Sequence, residues 1–147
     1  MIRIAAVASA GGHWIQLMRL SPVFEGYDVL YITTAHGVMP IHKGPVHMVT
    51  DSNRWERLKM IRMFLGVARV MFAERPDVVI TTGAAPGLAA IFFGRLIGAT
   101  TIWVDSIANS EQMSGSGKLA KRFASLCLTQ WEHLASHDGP QFWGAVL

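Results

Sequence analysis

The chain has a single cysteine, Cys127, among its 147 residues. No disulfide can form within it, and a reducing cytoplasm is the simple reading. Set between Leu126 and Leu128, that thiol is expected to be buried and inert rather than a nucleophile. Charge is also scarce: 16% of residues are charged against 51% apolar, which suits one ordinary domain with a real core. Long apolar runs are missing. Arg62, Arg69 and Arg95 interrupt the best candidates, and none reaches the ~18 residues a spanning helix needs, so any membrane contact is expected to be peripheral. The first residues, Ile2 to Ala8, read as a strand and lack the basic flank, apolar stretch and cleavage site of a signal peptide. Export is not expected. Internal repeats, low-complexity tracts and long linkers are absent as well.

What is present is an alternation of strand-length apolar runs with helical patterns. Strands are expected at Arg3 to Ala8, Tyr27 to Thr33, Val46 to Val49, Asp77 to Thr82, Thr101 to Asp105 and Cys127 to Gln130. Helices are expected at Gly12 to Phe24, Asn53 to Ala73, Pro86 to Ile97 and Gly117 to Ser125. Strands that are nearly all apolar and separated by helices predict an α/β fold: a Rossmann-like, doubly wound parallel sheet covered on both faces, as one domain over residues 1–147. Arg75-Pro76 and Pro86-Gly87 punctuate helix ends, and Gly98 suits a helix C-terminus. The polar, glycine-rich stretch Ser110 to Gly117 marks a mobile loop at the strands' C-terminal edge, where ligands bind in such sheets.

Two βα turns stand out at that edge. The first, Ala8-Ser9-Ala10-Gly11-Gly12-His13, lets backbone amides approach a phosphate at the start of the next helix. It is not a dinucleotide fingerprint, since GxGxxG is absent and Thr33 and Thr34 stand where an acidic residue would close the second strand. A nicotinamide cofactor is therefore not expected. The second, Thr82-Gly83-Ala84-Ala85-Pro86-Gly87, would lie beside it and complete a cleft. Each turn has a plainer alternative: a tight turn capped by His13, or small residues that let a helix pack closely on its strand. Asp105, at the end of a strand, is the better candidate acid or base, with Glu132 behind it. A helix-capping or loop carboxylate is its alternative. Six histidines invite a metal, above all His133 and His137, but HExxH and any completing cysteine or carboxylate set are missing, so none is expected. A serine hydrolase lacks its GxSxG elbow.

Net charge is +3, and five of the thirteen basic residues, Arg54, Arg57, Lys59, Arg62 and Arg69, fall within sixteen positions. On a helix, Lys59, Arg62, Gly66 and Arg69 share one narrow stripe, and Leu58, Ile61, Phe64, Leu65 and Phe72 supply more apolar surface than one sheet contact needs. Such a helix can lie in an anionic membrane interface, docking through Lys59, Arg62, Phe64 and Arg69. A core helix or a subunit interface is the alternative. Greasy neighbours argue against nucleic acid.

The ordered stretches SAGGHWIQLMRL, DSNRWERLK, RPDVVITTGAAPGLAAIFFGRLIGATTIWVDSIAN and SGKLAKRFASLCLTQWEHL resemble the PssD-like subunits of bacterial polysaccharide synthesis. Those in turn resemble the membrane-recruiting subunit of the two-subunit UDP-GlcNAc transferase that adds the second N-acetylglucosamine to dolichol-linked sugar. The wider similarity is to the N-terminal half of MurG-type glycosyltransferases of the GT-B class. This resemblance implies that Gly11, Gly12 and His13 face acceptor phosphate, with Ser9, Gly83, Ala84, Pro86 and Gly87 around it. Asp105 falls where the MurG-type HEQN motif has glutamate, although the motif here reads Val104-Asp105-Ser106-Ile107. It also implies a companion donor-binding subunit, with Gln141-Phe142-Trp143-Gly144 beginning the linker, a UDP-sugar donor shared with that subunit and a polyprenyl-diphosphate-linked acceptor. The place of work would be the inner face of the plasma membrane. A non-catalytic scaffold that recruits a self-sufficient transferase, and a free-standing nucleotide-binding domain, remain alternatives.

Overall fold

The computed structural model describes residues 1–53 and 55–146. Seven strands form one sheet: β1 (Arg3–Ala8), β2 (Asp28–Thr33), β3 (Val46–Met48), β4 (Val78–Thr81), β5 (Thr100–Val104), β6 (Leu126–Thr129) and β7 (Gln141–Phe142). Their order is β3-β2-β1-β4-β5-β6-β7 and every pair is parallel. This is the Rossmann-like, doubly wound α/β fold. The order reverses between β1 and β4, and the crevice at that switch point opens at the strands' C-terminal ends.

Because side chains alternate across a strand, β1 feeds two cores. Ala5 and Val7 join Met63, Val67, Met71, Ile91 and Trp103 under α2 (Arg57–Glu74), α3 (Ala84–Leu96) and α4 (Gly115–Ala120). Ile4, Ala6 and Ala8 join Trp14, Leu17, Met18 and Phe24 under α1 (Gly12–Arg19). Small residues set the spacing on α3: a Cβ on Gly94 would come within 2.8 Å of Val79 and 2.9 Å of Thr101, and one on Gly87 would run into Thr81. At Gly87 the close-packing alternative therefore has direct support.

Element ends differ from expectation for local reasons. The helix expected through Phe24 stops at Arg19, and Ser21–Phe24 is a separate 3-10 turn with Pro22, which has no amide hydrogen, in its first turn. Helix α2 starts at Arg57 rather than Asn53, because the Asn53 side chain accepts from Trp55 N at 2.9 Å and its carbonyl from Glu56 N at 3.1 Å, closing a turn instead. It ends at Glu74 and is capped by Arg75, which takes the left-handed conformation at φ 46° before Pro76. Arg54, one of the five clustered basic residues, lies outside the described residues. Helix α4 covers Gly115–Ala120, not Gly117 to Ser125, since Ser114 caps it by accepting from Gly117 N. Gln141–Phe142, expected to begin a linker, instead extends the sheet beside β6.

Candidate functional site

The first turn leaves β1 at Ser9 and enters α1 at Gly12, with Gly11 at φ 73°. A Cβ built on Gly11 or Gly12 would meet nothing within 4 Å, so the two glycines border open space. The positive φ at Gly11 is what demands glycine there. His13 then turns inward. Its Nδ1 sits 3.0 Å from the Thr82 carbonyl oxygen, and Thr82 Oγ1 donates back to the His13 carbonyl at 2.6 Å. A carbonyl can only accept, so in the neutral ring Nδ1 carries the hydrogen and Nε2 keeps its lone pair. The first and second βα turns are thereby pinned to each other.

The second turn completes the contact. Gly83 has φ 127°, and a Cβ there would press to 3.0 Å from the His13 ring, so a glycine is needed for both conformation and space. Helix α3 begins at Ala84, itself at φ 69°, two residues before the expected Pro86 start. A cleft of about 140 Å³ runs from Ser9 to Ala84 and Pro86, and the hydroxyl-bearing Thr34, Thr50 and Ser52 line it together with Asp51. Free amides at the starts of α1 and α3 face the same edge, where helix dipoles favour an anion. Ser9, Ala84 and Pro86 line this cleft, His13 meets Thr82 and Gly83 beside it, and Gly11 and Gly12 border open space at the start of α1. Gly87 faces inward against Thr81.

Asp105 is the first residue beyond β5 and is 2% exposed. Its Oδ1 accepts from Trp103 Nε1 at 3.0 Å and Ser114 Oγ at 2.6 Å; its Oδ2 accepts from Ser114 N at 3.0 Å and Asn109 Nδ2 at 3.3 Å. Gly117 makes room for the carboxylate, since a Cβ there would lie 2.6 Å from Oδ1. Four donors hold this group, and through them it ties down the glycine-rich loop expected to be mobile. Burial, followed by the Asp105 charge, pushes the neighbouring Cys127 thiol up to about 12, so the thiol stays protonated. Glu132 is exposed on a 3-10 turn, Glu132–Leu134. His133 and His137 do not share a helix face, because the chain beyond Leu134 is not helical. Among the described residues no group of histidine, cysteine and carboxylate side chains is placed to hold a metal.

Away from the crevice, α2 has three faces. Met63, Val67 and Met71 enter the core. Leu58, Ile61, Leu65 and Phe72 lie on the opposite side, with Leu58 75% and Leu65 65% exposed. Lys59, Arg62 and Arg69 flank that apolar strip; Lys59 pairs with Glu56 at 2.7 Å, while Arg62 and Arg69 are exposed and form no ion pair among the described residues. Gly66, in the same stripe, packs against Val49. Phe64 turns toward Phe93, ring centroids 6.4 Å apart, and Phe92 and Leu96 of α3 extend the exposed apolar area. No helix among the described residues is long and apolar enough to cross a membrane.

Motif reading takes Thr82 only as the start of the second turn and Thr34 only as the absence of an acid, and it misses the hydroxyls of Thr50 and Ser52 and a buried pair of glutamines, Gln16 and Gln130. For Gln16 a signal existed, a polar residue one turn after His13 amid Trp14, Leu17 and Met18. Gln130 carried none.

The fold recurs in known structures. MurG of Acinetobacter baumannii superimposes with a TM-score of 0.78 at 13% identity, over 99% of this chain and 46% of that one. UDP-N-acetylglucosamine 2-epimerase of Rickettsia bellii gives 0.70 at 12% identity over 90% and 40%, and a glycosyltransferase of Rickettsia africae gives 0.62 at 11% over 88% and 36%. The chain therefore spans less than half the length of these proteins. No curated protein matches it in sequence. The family described as "Oligosaccharide biosynthesis protein Alg14 like" matches residues 31–146, well over half of the chain, and the protein belongs to that family.

Proposed function

We propose that this protein is the acceptor-side, membrane-docking subunit of a two-subunit glycosyltransferase that works in exopolysaccharide or capsule biosynthesis. A companion subunit holds the UDP-sugar; the acceptor is a polyprenyl-diphosphate-linked saccharide whose diphosphate lies against the amides of the Gly11-Gly12 turn and of Ala84, the Gly83 amide being spent on Thr81 Oγ1. The acceptor hydroxyl oxygen bonds to the sugar C1, the C1–O bond to UDP breaks, and UDP leaves with the electron pair. The hydroxyl proton passes to Nε2 of His13, while Asp105 holds the β5–α4 loop beside the cleft.

The observation that carries this reading is the lock between His13 and Thr82, which sets Nε2 as the free ring nitrogen where two helix N-termini converge. Membership of the Alg14-like family supports a role in oligosaccharide biosynthesis. Membrane docking, which this reading puts on the inner face, is supported as docking by the apolar strip Leu58, Ile61, Leu65 and Phe72, with Arg62 and Arg69 beside it. Each basic residue near an anionic surface contributes about 1 kcal/mol, and inserted apolar side chains add to that.

The test is transfer of labelled sugar to polyprenyl-diphosphate acceptor on vesicles, by this chain, by a companion chain with a UDP-sugar site sought in the adjacent reading frame, and by both. Transfer should need both. Robust transfer by this chain alone refutes the two-subunit reading. Full transfer by the companion with a His13→Ala chain makes this protein a recruiting scaffold instead.

A further inference from the structure

Helix α1 carries the His13 turn, yet at 8 residues it is shorter than the ~12–15 a helix needs to persist unaided. Its orientation must come from tertiary ties. Trp14, Leu17 and Met18 fix it over β1 and β2 by apolar packing. Toward β5 and β6 the tie is polar and buried. Gln16, 6% exposed, accepts at Oε1 from Ile107 N at 3.2 Å and from Gln130 Nε2 at 2.7 Å, and its Nε2 donates to Ser106 Oγ at 3.1 Å. Gln130, 4% exposed, also donates to the Asp105 carbonyl at 2.9 Å and accepts from Val146 N at 2.7 Å. Two side-chain amides thus join α1, the loop after β5, the end of β6 and the chain near Val146. Removing either leaves buried donors and acceptors unmatched.

We propose that Gln16 and Gln130 form a buried amide clamp that positions the His13 turn against the loops after β5 and β6, so that Gln16 is a positioning residue for the transfer reaction. The clamp rests on the reading of His13 as the group that meets the acceptor. Gln16 follows His13 by three residues, so the two share a helix face. His13 fastens the turn to β4 through Thr82, and Gln16 fastens it to β5 and β6. With Gln16 gone, apolar packing keeps α1 folded while its first turn is held on one side only. A misplacement of about 1 Å at a reacting group costs on the order of a hundredfold in rate.

The experiment compares Gln16→Leu, Gln130→Leu, their double variant and Gln16→Glu, with Phe24→Leu as a core control away from the clamp. Glutamate keeps the shape: its oxygens accept from Ile107 N and Gln130 Nε2, and the Ser106 hydroxyl can turn to donate. With the companion subunit on vesicles, below every variant's unfolding temperature, Gln16→Leu should lower turnover at saturating substrates roughly ten- to a hundredfold, with the UDP-sugar KM unchanged. Gln16→Glu should restore most of it, and the double variant should be no worse than the weaker single, since the two act as a unit. Independently of activity, the ring ¹⁵N signals of His13 should show hydrogen on Nδ1 in the parent and in Gln16→Glu, and should shift in Gln16→Leu. If the parent pair transfers nothing, the transferase reading fails, and the ring signals still decide the clamp. Parent-like turnover and ring signals in Gln16→Leu, or an equal turnover loss in Phe24→Leu, overturn it.

Discussion

His13, in the first turn of α1 after β1, and Asp105, just past β5, lie at the C-terminal edge of the sheet with β4 between their strands, and residue type alone makes both candidates for acid–base chemistry. Their surroundings separate them. Asp105 is buried and its two oxygens accept four hydrogen bonds, three from Asn109 and Ser114 of the β5–α4 loop and one from Trp103 in β5. His13 spends one ring nitrogen on Thr82 and lies half-buried beside glycines that border open space. A polar group whose bonding capacity is filled by its own fold is a scaffold; one that is oriented at one atom and free at the other is poised to meet a ligand. The carboxylate beyond β5 thus holds a loop, and on the proposed reading it is the imidazole in α1 that meets the acceptor.

Substitutions can break this comparison at either end. The largest effect is expected from His13→Ala: turnover of the two-subunit enzyme should fall 10²- to 10⁴-fold, the usual worth of a general base, while the urea midpoint stays near the parent's. An equal fall in midpoint would make His13 another structural hub. Asp105→Ala should do the reverse, costing about 3 kcal/mol of stability, because several buried donors lose their acceptor together; equilibrium urea unfolding reads this directly. Full stability with lost turnover would move Asp105 into the chemistry.

A smaller effect is expected on α2. Replacing Arg62 and Arg69 with glutamine should weaken binding to anionic vesicles by about 2 kcal/mol, roughly thirtyfold, at low salt, and the loss should shrink as salt rises. Replacing Leu58 and Leu65 with serine should weaken binding at all salt concentrations. Unchanged flotation in both would assign this face to a protein partner. The smallest effect concerns Cys127. Its folded-state thiol titrates near 12 against an ordinary value of 9.0, so between those values the unfolded chain loses its proton first and stability falls as pH rises. Below 9 the group contributes no pH dependence. Cys127→Ala should flatten part of that alkaline slope in pH-dependent unfolding, and native Cys127 should resist thiol labelling near neutral pH.

Much of the fold was legible because strands of a parallel sheet are buried on both faces and so read as unbroken apolar runs. The runs at residues 4–8 and 29–32 are of this kind, and the glycine turns that follow strands announced the crevice. Illegible features depended on contacts distant in sequence. Two boundaries were instead set locally, by Pro22 after α1 and by the two bonds that Asn53 accepts before α2. Strand β7 exists because Gln141 and Phe142 find an open edge on β6, which two residues cannot signal by themselves. The Gln16 and Gln130 amides meet across 114 positions. Asp105 was visible as a carboxylate at a strand end, but the Ser114, Asn109 and Trp103 donors that fill it were not.

The account stands or falls on transfer of labelled sugar from its UDP donor to a polyprenyl-diphosphate acceptor on anionic vesicles, with the companion subunit and either the parent chain or His13→Gln. Transfer that requires both subunits, and that collapses at least a hundredfold with His13→Gln while that variant still binds its companion and the vesicles, is the predicted result. Parent-level transfer with His13→Gln would contradict it.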